Sequence, residues 1–383
     1  VSVTAVPGFR AAGTSVGIKP TGKKDFAVII NDGPSMNAAV VYTSNKCKAN
    51  PVKWSQPRTS DGQVRAAIIN SGCANCFTGD FGFETTKLTA HAVADAVGCD
   101  ADDVLVCSTG LIGTGGEDFR SRLVEGVPGL VESASAEGGS AAAEAILTTD
   151  SVSKEAVAEG TGYTIGAMAK GAGMLAPSLA TMIVVITTDA KLSPEQLDRA
   201  LRGATAKSFD RLDSDGCRST NDTVALLSSG AGAEADEAEF TALLTEVCTD
   251  LARQLMADAE GAAHDVEITV TGAVSEDDAV EVGRAVSRSN LVKTALAGED
   301  PNWGRVLAQV GTADAKFDPE NLDVSFNGVQ VCRATAPHED AAKVKFGRTI
   351  TIEINLNSGQ AEATVFTNDL THEYVTENSS AAS

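Results

Sequence analysis

Basic residues are scarce in this chain. Its 383 residues hold 30 Lys and Arg against 52 Asp and Glu, a net charge of -22. Holding nucleic acid takes clustered positive charge, so the balance argues against that partner. It argues equally against an anionic membrane surface. No apolar run approaches the roughly 20 residues that span a bilayer, and no basic-then-apolar secretory leader is present. Histidine is also rare: His91, His264, His338 and His372 are the whole supply. None lies in a motif with a Ser or Cys nucleophile, so each reads as a surface or helix residue rather than a catalytic base. The eight cysteines are irregularly spaced in a long chain, which suits thiols of a reducing cytosol better than a disulfide framework. Cys73-x-x-Cys76 lacks a second CxxC, so neither structural zinc nor a redox pair is expected there. Gly160-x-Gly162-x-x-x-Gly166 lacks the strand–turn–helix setting of a dinucleotide site.

Apolar residues make up 43% of the chain, enough for two domains or one large layered unit. Phe26–Ile30 and Ala38–Tyr42 read as an opening pair of strands, with a turn at residues 31–34. Residues 65–69 and 104–107 read as buried strands, each running into a turn-rich segment. Helices are expected over 84–97, with Gly98 as the stop, over 134–146, and from Ser193, where Pro194 and Gln196 complete a capping box. Phe240, Leu244, Val247, Leu251 and Leu255 share one helical face. The end of the chain is β-rich, with Asn327-Gly328 as a two-residue hairpin turn. Interleaved helices and hairpins give the class α+β with layered sheets.

The most informative stretch is Lys170-Gly171-x-Gly173-Met174-x-x-Pro177-x-x-Ala180-Thr181-Met182. Residues of unusual backbone angles precede Thr181, and a β-branched apolar run follows it, as in a buried strand. On pattern alone Thr181 is either a plain residue opening a core strand or a nucleophile held where a constrained loop enters the interior. A Thr hydroxyl is a weak nucleophile; as the first residue of a chain it gains its own α-amine, of reference pKa about 7.7–8.0, as base. That requires the backbone to break before Thr181.

The segment resembles the self-cleavage segment of the ornithine acetyltransferase family, and the similarity runs from Gly8-Phe9-Arg10 to Glu377-Asn378-Ser379. The resemblance implies an α/β/β/α sandwich with a smaller β-rich C-terminal region. It implies self-cleavage between Ala180 and Thr181 into an α chain of 1–180 and a β chain of 181–383, which remain associated as α2β2 or a larger assembly. Thr181 would then carry acetyl from N-acetylornithine to glutamate in arginine biosynthesis. No metal or organic cofactor is implied, the location is the cytoplasm, and acetyl-CoA is a possible second donor. An N-terminal-nucleophile hydrolase is the rival. By the same resemblance Thr109 and Gly110 form the oxyanion hole, while Thr148, Lys170, Thr181, Glu260, Asn378 and Ser383 contact substrate. Lys170 suits an α-carboxylate and Glu260 a side-chain ammonium. Asp300-Pro-Asn-Trp-Gly-Arg305 and Ser219-Thr-Asn-Asp-Thr223 also match; the first reads as structural, and neither is assigned a direct role. The tail departs from the family by lacking a Tyr near Ser383.

Overall fold

The computed structural model describes residues 2–176 and 182–380. In chain order the elements are β1 (Phe9–Thr14), β2 (Phe26–Asn31), β3 (Ala38–Tyr42), α1 (Asn50–Arg58), β4 (Ala66–Cys73), α2 (Gly79–Val97), β5 (Val104–Leu111), α3 (Glu117–Glu132) and α4 (Gly139–Ala145). There follow β6 (Lys154–Gly160), β7 (Tyr163–Lys170), β8 (Ile183–Thr188), α5 (Pro194–Lys207), β9 (Thr223–Ser228), α6 (Glu237–Ala257), β10 (Asp265–Ala273), α7 (Glu276–Ser287), α8 (Asn290–Ala297) and α9 (Trp303–Val310). The chain closes with β11 (Asp323–Phe326), β12 (Val329–Arg333), β13 (Ala336–Pro337), β14 (Thr349–Asn355), β15 (Ala361–Asn368) and α10 (His372–Ser380).

The strands form three sheets among the described residues: β1-β2-β4-β5, β3-β9-β8-β7-β6, and β13-β12-β11-β14-β10-β15. The first two stack face to face. Ala27, Ile29, Ile69 and Leu105 of one meet Ile183, Val185, Ala225 and Leu227 of the other. Side chains alternate across a strand, so Val184, Ile186, Val224 and Leu226 point the other way, onto Leu201, Phe240, Leu244 and Leu251 of α5 and α6. On the opposite side Val28, Ile30, Ile68 and Val106 lie under Trp54, Val93, Leu123 and Leu130 of α1–α3. Helix, sheet, sheet, helix is therefore the order of layers. It explains why the run after residue 182 is apolar without a break: both faces of β8 are buried. The third sheet is a separate unit, its Ile268, Val270, Ile352 and Ile354 covered by Val282, Val286 and Val306 of α7 and α9.

Most expected elements are present. Ser193 and Gln196 form the capping box of α5, and Gly98 ends α2 at φ +83. Asn327 and Gly328, at φ +46 and +82, make the turn between β11 and β12. Asn302 caps α9, and half-buried Trp303 packs on the third core, so that motif is structural as expected. The glycines at 160–166 belong to the antiparallel β6–β7 hairpin.

Two expectations fail. Strands over 26–31 and 38–42 exist but do not pair: β2 lies between β1 and β4, while β3 joins β9 in the other sheet. The turn between them carries the chain across the sandwich. There Asn31 Nδ2 donates to the carbonyls of Ser35 and Ser228, both at 3.0 Å. A Cβ on Gly33 would sit 2.4 Å from the Ser229 carbonyl oxygen, so only glycine permits that approach. The helical region around 134–146 narrows to α4, while α3 was not anticipated because Gly126, Pro128 and Gly129 interrupt its pattern.

The layer order has a test. Phe240 is fully buried, its ring 5.6 Å from that of Tyr163. Phe240→Ala should cost about 3–5 kcal/mol in urea unfolding with little change in slope. A loss below about 1 kcal/mol would place α6 elsewhere than on the sheet.

Candidate active site

A cleft of about 330 Å³ opens where the ends of β5 and β7 meet the turn after α6, and Thr109, Gly110, Thr148, Lys170, Glu260 and Asn378 all line it. A larger hollow of about 590 Å³ lies over β3 and α5, but none of these six residues lines it. Convergent chemistry rather than size marks the site.

Lys170 is the hinge of the arrangement. It is 1% exposed, and its Nζ donates to Thr148 Oγ1 at 2.8 Å and to Thr109 Oγ1 at 3.1 Å. Burial lowers its pKa, opposed by Asp150, Asp222 and Glu260. An ammonium has three donors, and these two hydroxyls take two of them. A hydroxyl that accepts from an ammonium must direct its own proton elsewhere, so Thr109 is left free to donate. Gly110 follows at φ +128, where a Cβ would lie 2.4 Å from the Gly72 carbonyl carbon. Only glycine lets the end of β5 lie against the bulge in β4.

What holds Lys170 was not foreseen. Asp150 lies 3.7 Å from Lys170 Nζ and 2.7 Å from Lys154 Nζ, and accepts from Gly171 N at 2.6 Å and Thr148 N at 3.0 Å. Lys154, wholly buried, bonds Asp258 at 2.6 Å as well. Burial would lift the Asp150 carboxyl, but Lys170, Lys154 and the Gly171 N–H outweigh it and hold it well below the carboxylate range. In sequence, Lys154 is one more lysine near a strand start. Only the folded chain shows that it has no solvent.

Glu260 closes the other side, accepting from Thr149 Oγ1 at 2.8 Å while its N–H donates to Ala172 O at 2.9 Å. Gly173 gives the Glu260 carboxylate room: a Cβ there would lie 2.6 Å from it and push that side chain aside. Met174, in the same loop, is left-handed at φ +52, and its N–H donates to Asp215 at 2.7 Å. Asn378 reaches the rim because α10 docks on Gly261, whose φ of +63 and absent Cβ let Tyr374 N approach.

Pro177, Ala180, Thr181 and Ser383 lie outside the described residues. The next residue is well fixed: Met182 N donates to Asp222 Oδ1 at 3.0 Å, and Thr223 N donates to Met182 O at 3.2 Å. Asp222 sits in the Ser219–Thr223 segment, which matches the family pattern but was assigned no direct role. Its neighbour Asn221 donates from Nδ2 to the carbonyls of Ala74 and Ser108, both at 2.7 Å, tying this segment to the end of β5.

The remaining candidates stand apart. His91, His338 and His372 are exposed. His264 departs from expectation: it is buried, Nδ1 2.8 Å from Asp369, away from the cleft lining. Cys73 and Cys76 are both buried and unbridged. Among the described residues no group of three or more His, Cys, Asp or Glu is placed to hold a metal, and no helix is long and apolar enough to cross a membrane.

The ArgJ family pattern matches residues 10–383. The chain belongs to the ArgJ family. Among its relatives, the arginine biosynthesis bifunctional protein ArgJ of Thermobifida fusca is 58% identical over 381 residues, 99% of each chain. The protein of the same name from Streptomyces coelicolor is 52% identical over 385 residues, the full length of both. The ornithine acetyltransferase of Mycobacterium tuberculosis, solved with ornithine, is 44% identical over 48% of this chain and 96% of that one, with a TM-score of 0.45. Of the residues that the resemblance assigned to catalysis or substrate contact, the six that are described line the one cleft; Thr181 and Ser383 are not described.

The buried charges give a measurable consequence. Asp150 titrates below its ordinary value of about 3.9, so it contributes stability above that pH and loses it as the pH falls through its folded value. Asp150→Asn leaves buried Lys170 without its ion-pair partner and Lys154 with Asp258 alone, and should cost about 3–5 kcal/mol at pH 7. Denaturant midpoints at pH 7 and pH 3.5 should show the gap to wild type narrowing in acid. A gap independent of pH would contradict the charged assignment.

Proposed function

We propose that this protein cuts its own backbone between Ala180 and Thr181 and then moves acetyl from N-acetylornithine to glutamate through an ester on Thr181, in arginine biosynthesis. The supporting observation is the convergence in one cleft of a hydroxyl free to donate (Thr109), a buried cation (Lys170) and a carboxylate (Glu260). Developing negative charge on a carbonyl oxygen is stabilised by preset donors, which suits Thr109 and the Gly110 backbone. Lys170 pairs with an α-carboxylate through its remaining N–H. Glu260, across the cleft, suits the side-chain ammonium of an ornithine-like donor. Thr148 and Asn378 complete the substrate contacts, with Ser383 assigned from the family resemblance. The route needs no metal or organic cofactor.

The relatives carry bifunctional names, and we extend that to this chain: acetyl-CoA serves as a second donor to the same Thr181. The two chains, 1–180 and 181–383, stay together because β7 and β8 are paired neighbours lying on opposite sides of the cut. The assembly is α2β2 or larger, in the cytoplasm.

Intact-mass measurement on purified protein tests the cut. Two species dividing at Ala180–Thr181 are expected, and Thr181→Ala should remain whole, folded and inactive. A single full-length species with full activity would refute the reading. Acetyl transfer measured against acetate release separates transferase from hydrolase. Activity with acetyl-CoA as sole donor tests the second half-reaction. Thr109→Ala should lower turnover by about 10²–10³ with binding little changed. Glu260→Gln should weaken binding of N-acetylornithine by about 10–150-fold, mostly in KM. The reverse pattern would exchange the two roles.

A further inference from the structure

We propose that the loop between β1 and β2 holds the pyrophosphate and 3′-phosphate of acetyl-CoA, through Lys23, Lys24 and the neighbouring Arg122. This rests on the second donor proposed above and locates where that donor binds. The cleft, at about 330 Å³, has room for an amino acid but not for a nucleotide thioester. The nucleotide must then lie outside the mouth, on a protein whose net charge of -22 repels phosphates. A local cationic surface is needed, and it has to border the cleft.

Residues 15–24 hold three lysines and no acid. Their place follows from the register of the first sheet. Thr14 of β1 pairs with Phe26 of β2, Phe26 with Asn70 of β4, and Asn70 with Ser108 of β5. One end of the sheet therefore carries both this loop and the cleft residues Thr109 and Gly110. Two strand steps separate β2 from β5, about 10 Å, within reach of a pantetheine arm. Contacts bridge that interval. Lys19 Nζ donates to the carbonyl of Leu147, next to the cleft residue Thr148, at 2.5 Å, and to that of Lys24 at 2.8 Å. A Cβ on Gly72, which pairs with Gly110, would lie 3.2 Å from Lys19 Cγ.

The loop is fixed from inside. The Asp25 carboxylate is fully buried and accepts from Val16 N, Ile18 N and Lys19 N at 2.8, 2.7 and 3.0 Å. Lys23 is exposed and has no ion pair among the described residues. Lys24 and Arg122 pair with Glu144 and Asp118 at 2.5 and 2.7 Å, and both carboxylates are more than half exposed. Exposed pairs contribute little, so a phosphate can displace these carboxylates at small cost. Arg122 also donates to Val16 O at 3.2 Å, which seats it on the loop. Lysine and arginine N–H groups hold phosphate by charge-assisted hydrogen bonds.

Steady-state kinetics at saturating glutamate with three acetyl donors test this: acetyl-CoA, S-acetylpantetheine, which lacks every phosphate, and N-acetylornithine. Lys23→Glu/Lys24→Glu should raise KM for acetyl-CoA about tenfold, with kcat kept and both other donors unaffected. For wild type, KM should be lower for acetyl-CoA than for S-acetylpantetheine, and only the former should rise with salt. Adenosine 3′,5′-bisphosphate should compete with acetyl-CoA, and less well in the variant. Lys46→Glu/Lys48→Glu, the same change of charge in the loop after β3, should leave every KM as it was. An unchanged KM for acetyl-CoA in the first variant would overturn the proposal, as would an equal rise for S-acetylpantetheine or an equal rise in the control. Wild type that accepts neither thioester would refute the second donor, and the phosphate site with it. Wild type that accepts both without preference would refute the site alone. The wild-type comparisons decide if the variants do not fold.

Discussion

Two lysines without solvent govern this site. Lys154 and Lys170 are 0% and 1% exposed, and a buried ammonium persists only if paired and hydrogen-bonded. Asp150 lies between them and Asp258 completes the set. Rigidity follows from this constraint. Lys170 cannot swing into solvent as an ordinary lysine does, so Thr109 and Thr148 are held against it. Asp258 lies two residues before Glu260, so the same network fixes the distance between the cationic and anionic sides of the cleft. A site that must recognise two ends of a small molecule needs that distance constant.

The network also spans the proposed cut. Asp150, Lys154 and Lys170 precede residue 180, and Asp258 follows it. Breaking the backbone there would leave the ion pairs, the β7–β8 ladder and the sandwich core untouched. The fold is thus arranged so that its covalent link at this point is dispensable. The parallel β8–β9 pairing holds the far side, with Met182 gripped by Asp222 and Thr223. The proposed cut would place a new chain end next to backbone that is hydrogen-bonded on both sides of Met182.

Much of this was legible in sequence, for identifiable reasons. Periodicity located β8, α5 and α6 because burial on one face or two leaves a direct trace. Capping and turn residues located their ends. Pairing was not legible: β2 and β3 look like a hairpin because they are close in sequence, yet the chain between them changes sheets. The six cleft residues came from motif likeness rather than pattern, since Thr109 in a strand end or Glu260 after a helix has no signature of its own. Lys154, Asp150 and Asp222 stayed hidden because their importance is a matter of burial. A charged residue reads as solvated unless the fold shows otherwise, and His264 misled in the same way.

Net charge poses a last problem for the proposed chemistry. At -22 the molecule repels anions at long range, and glutamate is an anion. Screening confines that repulsion to about 8–10 Å in physiological salt, so it weakens encounter more than binding. Within the cleft the local field differs. Lys170 lies at low dielectric, where its charge acts more strongly than an exposed lysine's would, and part of Asp150's charge is spent on Lys154. Thr109 and Thr148 extend that positive influence toward the cleft as oriented hydroxyls. Glu260 keeps an opposing field on the far side, about where a side-chain ammonium would sit. An acidic protein can therefore hold an amino-acid carboxylate, provided the cation that attracts it is buried and its counter-charge is shared.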